Sequence, residues 1–459
     1  MRKYKRLAII VTISVICFSF CSCSGFIDMI TGTNPYPSPT QIQSEPSLFP
    51  YVSPTPKVID DTPIYNTNTP IFIDFDVITS LLNNSDVKNS GDIDSINARK
   101  VREYLFNRTF LADYKSDRSL SSLFVEMYIS IVTFQKTYTI NSNLKVTKNQ
   151  LRDLYTLLTS SSPELFNVQH NYTYYIPSDS HYVSKIDFSY ILERDEYISA
   201  LDKLKNTIDY MIGKTKEFTD IEKELFVHDY ILDKCEYTKN GRNISNAYGA
   251  LINGKALCEG YSDAFTLVMY SMGIETAQVH GESKDSSTSQ IESHAWNIVK
   301  LDGEWYNIDL TWNDFSPSND DFKIHGSLYA YFNITDEDIN KNHFLNDLFA
   351  DRKQQIAKCT STTYNYYNMF GHCVNNTTED PKAFLLDAIK TACEGADSLA
   401  TVFIKFPSSD YYDDYISKIS DAAFEYNKQY ASSYNIESFV YTYDNCMLVV
   451  RCEFVLKAK

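Results

Sequence analysis

"GKALCEGYSDAFTLVMYSMGIE", residues 254–275, reads as a glycine-marked turn running straight into an amphipathic helix. Leu257, Tyr261, Phe265, Val268 and Met272 recur every three or four residues, and Gly273 supplies a stop. The spacing predicts Cys258 in the first helical turn. There the unpaired N–H groups and the helix dipole favour a thiolate over a thiol. A cysteine is also a small residue that packs well in a core. Taken alone, Cys258 reads more readily as packing than as chemistry, so its meaning depends on what the chain places beside it.

The stretch that supplies a partner is "SHAWNIVKLDGEWYNIDLTWND", residues 293–314. Two alternating runs flank Asp302-Gly303, a strong signal for a two-residue hairpin. With Leu301 paired to Glu304, His294 faces Thr311 and Trp296 faces Asp309. His294 and Asp309 then share one face on a diagonal, about 7–8 Å apart at the backbone and within side-chain reach. Thiol catalysis needs a base to take the proton and an acid to fix the tautomer of that base. A strand-edge histidine and a capping aspartate are the plainer readings of the two residues taken singly, and a slip of one residue in register would separate them. His228 competes for the role of base, but it falls in line with Ile221, Leu225 and Leu232 and reads as a core residue.

"AYGALINGKALCEGYSDAF" followed by "SHAWNIVKLDGEWYNIDLTWND" resembles the core of the transglutaminase-like superfamily, in the form found in exported bacterial proteins. The resemblance is specific over residues 219–345 and looser over the preceding elements. It implies an α+β, papain-like thiol fold, in which a helix bearing the cysteine packs on an antiparallel sheet bearing histidine and aspartate. It implies Cys258 as nucleophile, His294 as base and Asp309 as orienting acid. Members of the superfamily include cross-linking acyltransferases, peptidases, amidases and inactive relatives. All three positions are filled here, which argues against the last. No cofactor or metal is implied.

Composition narrows the partners. The chain has 459 residues with 42 basic and 59 acidic side chains. Four basic residues, Arg2, Lys3, Lys5 and Arg6, open the sequence; without them the balance is 38 against 59, or −21. So acidic a body lacks the basic surface that binds nucleic acid by counterion release. Asp314, Asp320 and Asp321 do not have the spacing of a calcium loop. Cys235, Cys359, Cys373, Cys393, Cys446 and Cys452 are too scattered for a zinc site, and they permit 15 disulfide connectivities with no pair favoured.

The N-terminus reads as an export signal. "MRKYKRLAIIVTISVICFSFCSCSG" couples a basic start to the apolar run Leu7–Phe20, which is too short to span a bilayer. "FCSC" resembles a bacterial lipobox ending at Cys23, although Phe20 and Cys21 depart from the usual pattern. Nine of the 14 prolines then fall between Pro35 and Pro70. That spacer would reach about 110 Å as polyproline II. The organisation expected is a signal peptide at 1–22, a lipid site and proline-rich tether at 23–95, a helical-and-strand accessory region at 96–217, the thiol core at 218–345 and a small α+β domain at 346–459. The functional expectation is a lipid-tethered surface enzyme acting by acyl transfer or hydrolysis on protein or peptide substrates, cell-wall peptides among them. A cysteine peptidase or amidase, or a binding module that keeps the fold without the chemistry, is the alternative.

Overall fold

The computed structural model describes residues 75–83, 95–106, 108, 117–178, 180–284, 290–314, 328–346, 356–374, 380–431 and 433–459. The signal peptide, Cys23 and most of the tether lie outside these residues. No helix among the described residues is long and apolar enough to cross a membrane.

Three helices come first: α1 (Phe75–Asn83), α2 (Ser95–Leu105) and α3 (Arg118–Val132). The first falls inside the stretch read as tether. Val77, Ile78, Leu81 and Leu82 give it one apolar face, and all four are buried. Folded structure is therefore present from residue 75, ahead of the expected start at 96. A three-stranded antiparallel sheet follows, from β1 (Thr137–Thr139), β2 (Thr173–Tyr175) and β3 (Lys185–Asp187) in the order β1-β3-β2. α4 (Lys148–Ser160) lies between its first two strands in sequence. The strand pair β2–β3 matches the expected hairpin; β1 is a third strand whose three-residue pattern carries no signal of its own.

α5 (Arg194–Lys214) buries Leu201, Leu204, Ile208 and Met211, the residues whose period predicts it. α6 (Asp220–Lys234) starts at the expected capping box, where Glu222 Oε2 accepts from the Thr219 backbone N–H at 2.8 Å. A short parallel pair, β4 (Glu236–Tyr237) and β5 (Lys255–Ala256), leads into α7 (Cys258–Ser271).

The main sheet is antiparallel. It comprises β6 (Thr276–Lys284), β7 (Ile291–Leu301), β8 (Glu304–Ile308) and a later edge strand, β9 (His343–Leu345), in the order β8-β7-β6-β9. α8 (Leu310–Asn313) and α9 (Asp336–Ile339) fall between β8 and β9 in sequence. Helix α7 packs on this sheet: Ser262 Oγ donates to the Trp296 carbonyl at 3.1 Å, and Asn297 Nδ2 donates to Thr266 Oγ1 at 2.8 Å. The apolar stripe of α7 is present, but the helix is not amphipathic. Every residue from Gly260 to Ser271 is buried, including Ser262, Asp263, Thr266 and Ser271 on the polar side. A helix enclosed on all sides loses its solvent face, and here the polar side meets the sheet through the hydrogen bonds just given.

One apolar cluster joins α1–α7 and the main sheet. A second belongs to the C-terminal unit. There β10 (His372–Cys373), β11 (Leu399–Lys405), β12 (Tyr434–Asp444) and β13 (Val449–Ala458) form a sheet in the order β10-β11-β13-β12. A helix at Pro381–Cys393 precedes β11, and β12 and β13 form a long hairpin. The run "DDYISKISDAAFEYNKQY", residues 413–430, reads as one helix, but the structure has two, Tyr412–Ile416 and Ile419–Gln429, because the Lys418 N–H closes on the Tyr415 carbonyl and tightens the turn between them. All seven cysteines in the described residues are free.

Candidate active site

Cys258 is the first residue of α7 and is partly exposed, whereas the rest of the helix beyond Glu259 is buried. Its position is set by close packing of the helix start. The Leu257 N–H donates to the Ile244 carbonyl at 2.7 Å. A Cβ on Gly260 would stand 2.5 Å from that same carbonyl oxygen and 2.8 Å from the Ala256 side chain. Only glycine lets the first turn approach this segment so closely. Farther along the helix, the Tyr261 hydroxyl donates to the Asp314 carboxylate, tying α7 to the end of α8.

His294 lies on β7, and its register is the one the hairpin predicts. Leu301 pairs with Glu304, and the ladder continues to Asn297 opposite Ile308. Asp302 and Gly303 both have positive φ, 49° and 86°, as a type I′ turn requires. The strand stops one residue short of Asp309, which does not pair across the ladder. It leaves the sheet as the N-cap of α8, with Oδ1 accepting from the Trp312 N–H at 3.1 Å. Release from the ladder brings its carboxylate to the imidazole: His294 Nε2 lies 2.6 Å from Asp309 Oδ2. The capping and the pairing readings of Asp309 are thus both realised, one on each oxygen.

With Nε2 committed to Asp309, Nδ1 is the ring nitrogen left to serve the Cys258 side chain, which lies near enough to help hold the imidazolium. The structure therefore brings Cys258, His294 and Asp309 together at one site. Both His294 and Asp309 are buried. Burial alone would discharge the imidazolium, but the Asp309 carboxylate, and then Cys258, outweigh it and hold His294 well above its ordinary value. Burial likewise works to raise the Asp309 carboxyl, but His294 and His343 overcome it and hold Asp309 below the usual carboxylate range. Beside Cys258, the Glu259 carboxylate meets His170 Nε2 at 3.3 Å on the rim of the site.

His343 has no counterpart in the sequence reading. It enters on β9, where it pairs with Ser283 of β6, and its Nε2 stands 2.9 Å from the same Asp309 Oδ2. A three-residue edge strand 34 positions beyond Asp309 leaves no local signal by which sequence could have found it. Trp296, Trp312 and Tyr331 pack around its ring, with centroids 5.2, 4.7 and 5.7 Å away. The donor atoms of His294, Asp309 and His343 lie within 4.8 Å of one another, close enough to hold a cation. Both imidazoles, however, converge on one carboxylate oxygen at hydrogen-bonding distance, so protons link the three.

His228 is a further buried histidine that meets an aspartate, its Nδ1 lying 2.8 Å from Asp229 Oδ1. Its Nε2 meets the Asn313 side chain at 3.1 Å, and its ring packs against Tyr329 and Phe332. It sits in the core, as its helical period predicts.

Residues 206–310 match the model of the transglutaminase-like superfamily, and the chain carries a domain of that kind. The kyphoscoliosis peptidases of Mus musculus and Homo sapiens are each 25% identical to this chain over 166 residues, covering 34% of it. The chain matches only 24% of the length of either relative. Among solved structures, the crystal structure of a TGase is similar at 13% identity with a TM-score of 0.23, over 34% of this chain and 48% of that one.

Proposed function

We propose that this protein is a thiol enzyme that attacks carboxamide or peptide carbonyl groups through Cys258, with His294 as base and Asp309 as its orienting acid. The observation that carries the reading is the buried His294–Asp309 pair, 2.6 Å apart, near the cysteine that starts α7. As general base, His294 takes the proton of the Cys258 thiol. The thiolate adds to the carbonyl carbon. The resulting oxyanion is stabilised by N–H groups at the start of α7, that of Cys258 among them. The intermediate collapses to a thioester as the C–N bond breaks, and the leaving amine takes its proton from His294. A second amine, or water, then attacks the thioester; His294 takes the incoming proton and the thiol is restored. The names of the peptidase relatives favour water and a peptide substrate, whereas the domain type favours an amine. We extend the proposal to place: export, lipidation at Cys23 and a proline-rich tether would set this chemistry at a cell surface, on protein or cell-wall peptides.

The test needs no known substrate. Iodoacetamide labelling at pH 6, followed by peptide mapping, reads the reactivity of Cys258 separately from that of the other cysteines. An ordinary thiol of pKa about 8.5 is almost wholly protonated there. Cys258 is expected to label at pH 6, and His294→Ala to slow that labelling at least about tenfold, because the pairing charge is gone. A Cys258 peptide that labels only above pH 8, at a rate indifferent to His294, would identify a binding module that has kept the fold alone.

A further inference from the structure

We infer that His343 is a positioning residue for Asp309: its N–H fixes the carboxylate that in turn fixes His294. The inference rests on the thiol-enzyme reading above. Asp309 Oδ2 receives two ring nitrogens, His294 Nε2 at 2.6 Å and His343 Nε2 at 2.9 Å. The second of these does not touch the thiol. It helps set the direction of the carboxylate through the same oxygen that meets the catalytic imidazole, while the Trp312 N–H holds the other oxygen at 3.1 Å. A carboxylate fixed by three donors from three separate segments has no freedom to turn away from His294.

The protons of this arrangement can be assigned. Burial holds the His343 ring down at about 4, against the pull of Asp309, so it is neutral and carries one N–H. To serve the carboxylate, that proton must be on Nε2, and Nδ1 must then accept. The Asn342 carboxamide lies 2.7 Å from His343 Nδ1 and 2.7 Å from the Tyr331 hydroxyl. Amide nitrogen and oxygen are told apart only by such networks. As placed, the Asn342 NH₂ donates to the Tyr331 hydroxyl and Asn342 Oδ1 faces His343 Nδ1; exchanging the amide oxygen and nitrogen is the self-consistent choice, with the NH₂ donating to Nδ1, the Tyr331 O–H donating to the amide oxygen and Nε2–H donating to Asp309. Each group then has one role, and the tautomer of His343 is set by Asn342. The Tyr331 hydroxyl also stands 3.5 Å from Asp444 Oδ2, at the end of β12.

Two variants separate this role from packing. His343→Phe keeps a ring in the aromatic box but has no N–H. His343→Gln carries an N–H that can reach the place of Nε2. A hydrogen bond to a charged group is lost in the first and kept in the second. Cys258 labelling at pH 6 is expected to fall about tenfold in His343→Phe and to stay within about twofold of wild type in His343→Gln. The proton between His294 Nε2 and Asp309 gives a far-downfield resonance in ¹⁵N-histidine-labelled protein. It is expected to shift or broaden in the Phe variant and to persist in the Gln variant. Where His343→Phe does not fold, Tyr331→Phe replaces it and should move the same proton. Unchanged labelling and an unchanged proton in the folded ring variant would overturn the inference and leave His343 as a core residue. If labelling depends on His294 but not on His343, this inference alone fails. If it ignores His294 as well, the thiol-enzyme reading fails.

Discussion

Asp309→Asn is the change whose consequence the geometry specifies most fully. The carboxylate accepts from His294 and His343 on Oδ2 and from the Trp312 N–H on Oδ1. Asparagine keeps the size but offers one acceptor and one NH₂. The Trp312 N–H is a backbone group fixed by the start of α8, so it claims the oxygen. The amide nitrogen then faces both imidazoles. To meet it, His294 must present a bare Nε2 and carry its proton on Nδ1, toward Cys258. That tautomer has no lone pair for the thiol proton. Loss of one charge-assisted hydrogen bond, about 1.5–3 kcal/mol, corresponds to roughly ten- to a hundredfold. Reversal of the tautomer adds to this, and the corresponding change in a serine-protease triad costs about 10⁴-fold in turnover. The expected outcome is a folded protein with turnover, read by incorporation of a fluorescent amine or release of a peptide product, down by about that factor. Its Cys258 labelling at pH 6 should be slowed at least about tenfold. Turnover within about tenfold of wild type, with normal labelling, would mean that Asp309 serves only as the cap of α8 and that the assignment of the acid is wrong.

Glu224 tests the electrostatics of the core away from the site: burial holds its carboxyl up at about 8, against the hydrogen bond that Asn333 donates at 2.8 Å. A folded-state value raised above the unfolded one of about 4.3 gives stability that is full below pH 4.3 and lost as pH rises through 8; denaturant melts at pH 5 and pH 9 should therefore show Glu224→Gln gaining on wild type at the higher pH, and an equal difference at both would refute the shift. His228→Ala should cost about 2–5 kcal/mol, as for other large-to-small changes at a fully buried site, yet leave the labelling of Cys258 unchanged; slowed labelling in a folded His228→Ala protein would reassign the base. Mass spectrometry of the N-terminal peptide from membranes should find Cys23 lipidated and N-terminal, and an unmodified terminus or release into the medium would remove the anchor.

What sequence made legible follows from how local each determinant is. The capping box at Thr219–Glu222, the stripe through Met211 and the turn at Asp302-Gly303 are written within a few residues, and each element forms where its pattern lies. The hairpin register followed from the turn, and it brought His294 and Asp309 to the same end of the sheet. What sequence did not carry was the end of the ladder. Asp309 reaches the imidazole because β8 stops at Ile308 and the next residue turns to cap α8, a competition between strand and helix that alternation alone cannot decide. The burial of α7 on all sides was likewise hidden, because its polar residues are satisfied by partners more than ten positions away. His343 was the least legible, since its role exists only where β9 meets β6.

The burial of Asp309 bears on why such an arrangement exists at all. An ionised carboxylate removed from water carries a penalty of several kcal/mol, and apolar residues of similar volume commonly serve stability as well or better. The fold nevertheless encloses Asp309 completely and keeps it charged with donors drawn from β7, β9 and the first turn of α8. Three segments that converge to maintain one buried charge make poor sense as a means of holding the sheet together, because β7 and β6 already pair along nine residues and need no such link. The charge has a use only through the group it faces. That group is an imidazole near the one cysteine standing at the start of the buried helix. His228 and Asp229 supply the internal comparison. There too a buried ring meets a carboxylate, but the carboxylate is on the same helix and open to solvent, and the far nitrogen ends on an asparagine. The same pair of side chains, with the charge left in water and no thiol beside the ring, is a structural contact. Burying the charge and setting a thiol against the ring are what turn the pair at His294 into a candidate catalytic base.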